Sequence, residues 1–251
     1  IGALTRKPDT VHTVVGKDAD ASSFVALLRL RWFAMRNFLF LEVHPLNKQP
    51  LAHNSVRALC ESAVMIALAT VLSMIKIYDA PYGGSVTLLS MAPIIVLSMR
   101  RGCKVGLSAA FVYSLIQLLQ GLNSVAYVPT PGGIVLCILL DYTLAFTVLG
   151  LGGIFRKVRF TSNGTANVLI AAALGTLLVT ALRFACHIVS GVVIWYALDL
   201  EWYADDPTHI VNLYGPWMFS VVYNGTFMLP EIIETCVGVP ILTRALRRVK
   251  L

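Results

Sequence analysis

This chain is short of charge. Asp, Glu, Lys and Arg make up 13% of its 251 residues, about half the share of a soluble domain, and so little ionic surface excludes an ordinary water-exposed globule. Its cysteines are few and never paired. Cys60, Cys103, Cys137, Cys186 and Cys236 lie singly, with no C-x-x-C spacing, which argues against a disulfide framework or a thiolate zinc site and leaves them as small apolar packing residues. The phosphate loop G-x-x-x-x-G-K-[ST], the H-E-x-x-H helix and the G-x-S-x-G turn are also missing. The chain therefore lacks the signatures of a P-loop nucleotidase, a zincin or an α/β-hydrolase. No short cleavable signal peptide is legible.

What the chain has instead is apolar length. Hydrophobic residues make up 57% of it, and its mean hydropathy is +0.75. Runs of about 20 apolar residues, enough to cross a hydrocarbon core of about 30 Å, recur from residue 55 onward. The pattern predicts an all-α integral membrane protein with six transmembrane helices near 56–77, 86–100, 103–121, 133–155, 166–198 and 212–243. Residues 1–54 read differently, as a basic extension ahead of a six-helix membrane domain at 55–251. Within the extension, "SFVALLRLRWFAMRNFLFLEV" is broken by Arg29, Arg31 and Arg36 and suits an interfacial helix better than a span.

Charge then orients the helices. Arg100, Arg101 and Lys104 follow the second run, Arg156, Lys157 and Arg159 the fourth, and Arg244, Arg247, Arg248 and Lys250 the sixth. With six spans these fall on one side, together with the basic N-terminal region. The opposite loops hold Asp79, Asp199, Glu201, Asp205 and Asp206, with Lys76 as their basic residue. The positive-inside rule makes both termini cytoplasmic in a multi-pass protein of the plasma membrane. The net charge of +7 follows from that topology, so no nucleic-acid partner is needed to explain it.

Ionisable groups inside such runs are costly, about 2.5–3.5 kcal/mol for Arg, Lys or Asp at a helix centre on insertion scales, and usually face a bundle interior or a wet cavity. "CILLDYTLAF" places Asp141 and Tyr142 within the fourth run; "ALRFACHIVSGVVIW" places Arg183, His187 and Trp195 in the fifth; "SVVYNGTFMLPEIIETC" places Asn224, Glu231 and Glu234 in the sixth. Arg183 reads as an internal counter-charge, open to Asp141 or a glutamate. Glu231 and Glu234 read as helix-holding groups nearer the cytoplasmic end. Asp141 and His187 lie among aromatics, with Trp217, Phe219 and Tyr223 opening the sixth run. A carboxylate ringed by aromatic faces suits a flat organic cation, since cation–π contacts add about 0.5–2 kcal/mol each. Two connecting segments, "YDAPYGGSVTLLSMAP" and "YVPTPGG", offer glycine backbone and hydroxyls to a ligand.

"KIYDAPYGGSVTLLSMAPI", "LLDYTLAF", "RFACHIVSGVVIW" and "YNGTFMLPE", in this order and spacing, resemble the thiamine-specific substrate-binding subunits of energy-coupling factor transporters. The resemblance covers roughly residues 55–245. It implies six helices, an extracellular-facing thiamine site, no enzymatic activity and no cofactor. It also implies partners: a shared membrane coupling subunit and two cytoplasmic ATPases. Position by position, it implies that Asp141 faces the thiazolium with Tyr142 beside it. His187, the stacking Trp195 and Asn224 complete the helical side of the pocket, and Gly83, Gly84 and Ser85 border it. The small residues Ala63 and Ala67 of the first helix match the docking face, where close approach of another helix needs small side chains. Phe219 stands where tyrosine is frequent, so one hydroxyl contact is missing or replaced.

Two other readings remain open from the residues: a binding subunit for another vitamin or precursor, and, more remotely, an intramembrane enzyme built on Glu231-x-x-Glu234 with His187.

Overall fold

The computed structural model describes residues 50–81 and 83–247. The N-terminal extension and its expected interfacial helix lie outside the described residues, apart from the backbone of the first helix turn. What is described is a bundle of apolar helices. Five of them are long and apolar enough to cross a membrane: Ser55–Ser73, Cys103–Gln120, Pro131–Leu151, Gly164–Trp202 and Pro216–Leu246.

Helix α1 (Pro50–Ser73) is barely covered, with only 6% of its crossing window buried. It meets the bundle through Ala69 and Ser73, while Ala63 and Ala67 are exposed. A short antiparallel hairpin follows, β1 (Lys76–Asp79) and β2 (Ser85–Thr87). Its turn requires glycine, because Gly83 and Gly84 have φ of 120° and 87°, in the region side chains rarely enter.

The expected second span is a different object. Its first part is the inner strand and a bend at Leu89, a non-glycine residue at φ 55°. Its remainder is α2 (Ala92–Arg101), ten residues with Ala92 through Met99 all buried. Ten residues rise only about 15 Å, half a hydrocarbon core. The contacts fix where this half-helix runs. Thr87 bonds Glu231, midway along the last helix, whereas Arg100 donates to the Leu246 carbonyl at that helix's end and pairs with Glu61, midway along α1. Arg101 pairs with Glu61 as well. Strand-like backbone at membrane depth is tolerated only where protein covers it or a cavity faces it, and Val86 and Thr87 are buried.

Gly102 (φ 94°) turns the chain directly into α3 (Cys103–Gln120). After a single-turn α4 (Leu122–Val125), α5 runs from Pro131 to Leu151. It opens on Thr130, whose hydroxyl caps the Gly133 amide, and on Pro at the first helical position. It then widens into a π segment at Ile138–Leu144. Helices α3 and α5 touch backbone to backbone at Gly106 and Gly150, where any side chain would collide.

Helix α6 (Gly164–Trp202) is capped by Asn163 and carries a second π segment at Gly191–Trp195. A loop and the short α7 (Ile210–Leu213) lead to α8 (Pro216–Arg247). In that loop the Thr208 hydroxyl and amide bond Asp206 and hold its carboxyl below the usual carboxylate range.

Candidate functional site

The hairpin, α3, α5, α6 and α8 enclose a cavity of about 340 Å³, within the size range of small-molecule sites. All nine residues expected at a binding site from the sequence line it: Asp141 and Tyr142 from α5, His187 and Trp195 from α6, Phe219 and Asn224 from α8, and Gly83, Gly84 and Ser85 from the hairpin. Of "YVPTPGG", only Tyr127 does.

Asp141 is not a bare carboxylate. His187 Nδ1 lies 3.0 Å from Oδ1, while the Ser190 hydroxyl (2.5 Å) and the Trp195 indole N–H (3.0 Å) donate to Oδ2. Two of these contacts converge on one oxygen, Oδ2. His187 Nε2 is buried with no hydrogen-bond partner.

The π segments bring these groups together. An α-helix turns about 100° per residue, so eight residues would leave His187 and Trp195 about 80° apart. The wider π turn at Gly191–Trp195 rotates less per residue and returns both side chains to one side. π-bulges are frequent at functional sites. Asp141 itself sits in the other π segment.

Arg183 binds Glu231, not Asp141. Its Nη1 lies 2.6 Å from Glu231 Oε2, and its guanidinium covers the Phe146 ring at 4.4 Å. Glu231 Oε1 also accepts the Thr87 hydroxyl and amide at 2.7 and 3.0 Å. Glu231 is 1% exposed on the cavity wall, halfway along α8, which corrects the expectation that it lies toward one end. Glu234 Oε1 accepts the Leu89 amide at 3.0 Å, holding the bend before α2.

Aromatic rings fill the side facing α8. Phe219 is 1% exposed, edge-on to Tyr196 at 5.6 Å and stacked with Tyr223 at 6.1 Å. The Tyr223 hydroxyl donates to the Gly83 carbonyl at 3.2 Å, and Tyr142 donates to Gly121 at 2.9 Å. Asn224 is fixed by bonds to the backbone carbonyls of His187 and Ser220. Trp217 is 62% exposed and does not line the cavity.

Sequence reasoning missed Ser190, Phe227, Asp199 and the wall position of Glu231. Ser190 was findable, since it follows His187 by three residues and so shares its face. Phe227, edge-on to His187 at 5.8 Å, gave no signal apart from its apolarity.

Fold and site define a class: a multi-pass α-helical protein of the cell membrane with a cavity of small-molecule size among its helices. Within that class the chain belongs to the thiamine transporter protein (Thia_YuaJ) family, whose profile matches residues 59–251. It is 31% identical over 181 residues to the thiamine transporter ThiT of Bacillus subtilis (strain 168), covering 70% of this chain and 84% of that protein. It is 29% identical over 198 residues to the thiamine transporter ThiT of Lacticaseibacillus paracasei, covering 76% and 88%. A solved structure of ThiT from Listeria monocytogenes superposes with a TM-score of 0.59 at 25% identity, covering 76% of this chain and 96% of that one.

Proposed function

We propose that this protein is the substrate-binding membrane subunit of an energy-coupling factor transporter, capturing extracellular thiamine for import driven by ATP hydrolysis in partner subunits. The observation that carries the reading is Asp141. It is a carboxylate fixed by Ser190, Trp195 and His187 in an aromatic-lined cavity, and it complements a thiazolium that is cationic and flat. Membership of the thiamine transporter family supports the same ligand. Asp141 and Tyr142 would face the thiazolium, Trp195 and His187 would stack or bond, and Asn224, Phe219 and the Gly83–Ser85 backbone would close the pocket. No enzymatic step is required.

The membrane domain spans 55–251, with the basic residues 1–54 appended to it. Six passages follow if the hairpin and α2 together count as one crossing, and both termini are then cytoplasmic by the distribution of Arg and Lys. The exposed small residues Ala63 and Ala67 of α1 offer the coupling subunit a surface for close helix packing.

Isothermal titration of the detergent-purified protein tests the reading. Saturable one-to-one binding of thiamine, with quenching of tryptophan fluorescence and no response to riboflavin, is expected. A protein that binds riboflavin and not thiamine is a receptor for a different vitamin.

A further inference from the structure

Asp199 lies one turn beyond Trp195 on α6 and lines the same cavity. It is 1% exposed, and its Oδ1 is buried with no hydrogen-bond partner. The other carboxylates of the wall are all engaged. Asp79 pairs with Lys76, Glu231 pairs with Arg183, and Asp141 is held by Ser190, Trp195 and His187. His209, the titratable group that acts on Asp199 from the following loop, is occupied elsewhere. Its ring stacks on Tyr203 at 3.8 Å, and its Nδ1 accepts the Val211 amide. A buried carboxylate oxygen without a donor is costly and calls for an explanation. A ligand carrying one fixed positive charge is matched by Asp141 alone, so Asp199 has a different use: accepting N–H or O–H.

Resting on the thiamine reading, we propose that Asp199 is a specificity-determining residue that accepts a hydrogen bond from a neutral donor of the ligand, an exocyclic amine or a hydroxyl, away from the cationic centre paired with Asp141. A site that must satisfy a buried polar group rejects analogues lacking the matching donor far better than an apolar wall does.

Three probes distinguish the donors: thiamine; oxythiamine, in which a carbonyl replaces the exocyclic amine; and thiamine monophosphate, in which the hydroxyl is esterified. The parent protein is expected to bind thiamine at least tenfold more tightly than one of the two analogues. Asp199→Leu removes the acceptor while keeping the branch at Cγ, and it should weaken thiamine binding about ten- to a hundredfold while bringing the rejected analogue within about threefold of thiamine. The analogue so affected identifies which donor reaches Asp199. Asp199→Asn, which retains one acceptor oxygen, should recover part of both losses, and it carries the test if the leucine variant does not fold. Equal weakening toward all three ligands, or no weakening at all, overturns the role. A parent that binds none of the three overturns the thiamine reading and this inference with it, whereas a binding parent with an unaltered ligand ratio in the variants overturns the inference alone.

Discussion

Arg183 on α6 and Glu231 on α8 meet at 2.6 Å halfway through the bundle, with both side chains at or below 7% exposure. This pair joins the two longest helices to the hairpin, because Glu231 also holds Thr87 by its hydroxyl and amide. Removing one partner of a buried pair leaves an uncompensated charge, which costs about 3–5 kcal/mol. Glu231→Gln should therefore lower the unfolding temperature markedly in detergent. The double variant Arg183→Met/Glu231→Leu should regain much of the loss, since no charge is then stranded. A Glu231→Gln protein as stable as the parent would show that the pair does not hold the helices.

Asp141→Asn should spare the fold and weaken ligand binding. The asparagine carbonyl can keep the Ser190 and Trp195 donors, while its amide faces His187 Nδ1. The charge facing the ligand is lost, and one charge-assisted contact is worth about 1.5–3 kcal/mol. Thiamine titration should show a Kd at least about tenfold higher, with an unfolding temperature near that of the parent. Unchanged affinity would remove the carboxylate from recognition. Because Arg183 pairs elsewhere, adding Arg183→Gln should worsen the Asp141 variant.

Gly84→Ala tests whether the hairpin shapes the cavity. A Cβ there would lie 2.5 Å from the Phe227 ring on a backbone at φ 87°, and such strain costs about 1–3 kcal/mol. Phe227 rests edge-on against His187, so the displacement is transmitted to the site. Both stability and thiamine affinity should fall. Gly132→Ala, where nothing lies within 4 Å, should leave both intact. Equal behaviour of the two variants would separate the hairpin from the site.

Orientation is open to chemical labelling. Asp205 is exposed in the loop after α6, and Cys103 begins α3 beside Arg101 and Lys104. In a background without other cysteines, Asp205→Cys should react with a membrane-impermeant maleimide on intact cells, and Cys103 should react only after lysis. The reverse pattern would invert the topology.

Docking through α1 predicts a split between binding and transport. Ala63→Leu or Ala67→Leu adds bulk on an exposed face where a partner helix must come close. Titrated thiamine affinity should be retained, while ATP-dependent uptake by the assembled transporter should fall at least severalfold. Normal uptake by both variants would move the docking surface elsewhere.

The sequence by itself determined the protein's class and named nine residues that the fold brings to one cavity. Too little charge for a wet surface leaves lipid as the solvent, and in lipid a polar side chain is retained only with a partner or a task. Asp141 and His187 could therefore be named from their depth and neighbours, whereas Trp195 and Asn224 came from the family resemblance. Tertiary structure decided the rest. Whether Arg183 meets Asp141 or Glu231 depends on which segment approaches it, and both candidates lie more than 40 residues away in sequence. The expected second span read as one apolar run, because hydropathy cannot distinguish buried strand and half-helix from a helix that crosses alone. The π turns escaped a reading based on 3.6 residues per turn, since the extra residue leaves no mark in composition. Asp199 passed for a loop carboxylate until α6 was seen to continue beneath it and to turn it, through the π segment, onto the cavity wall.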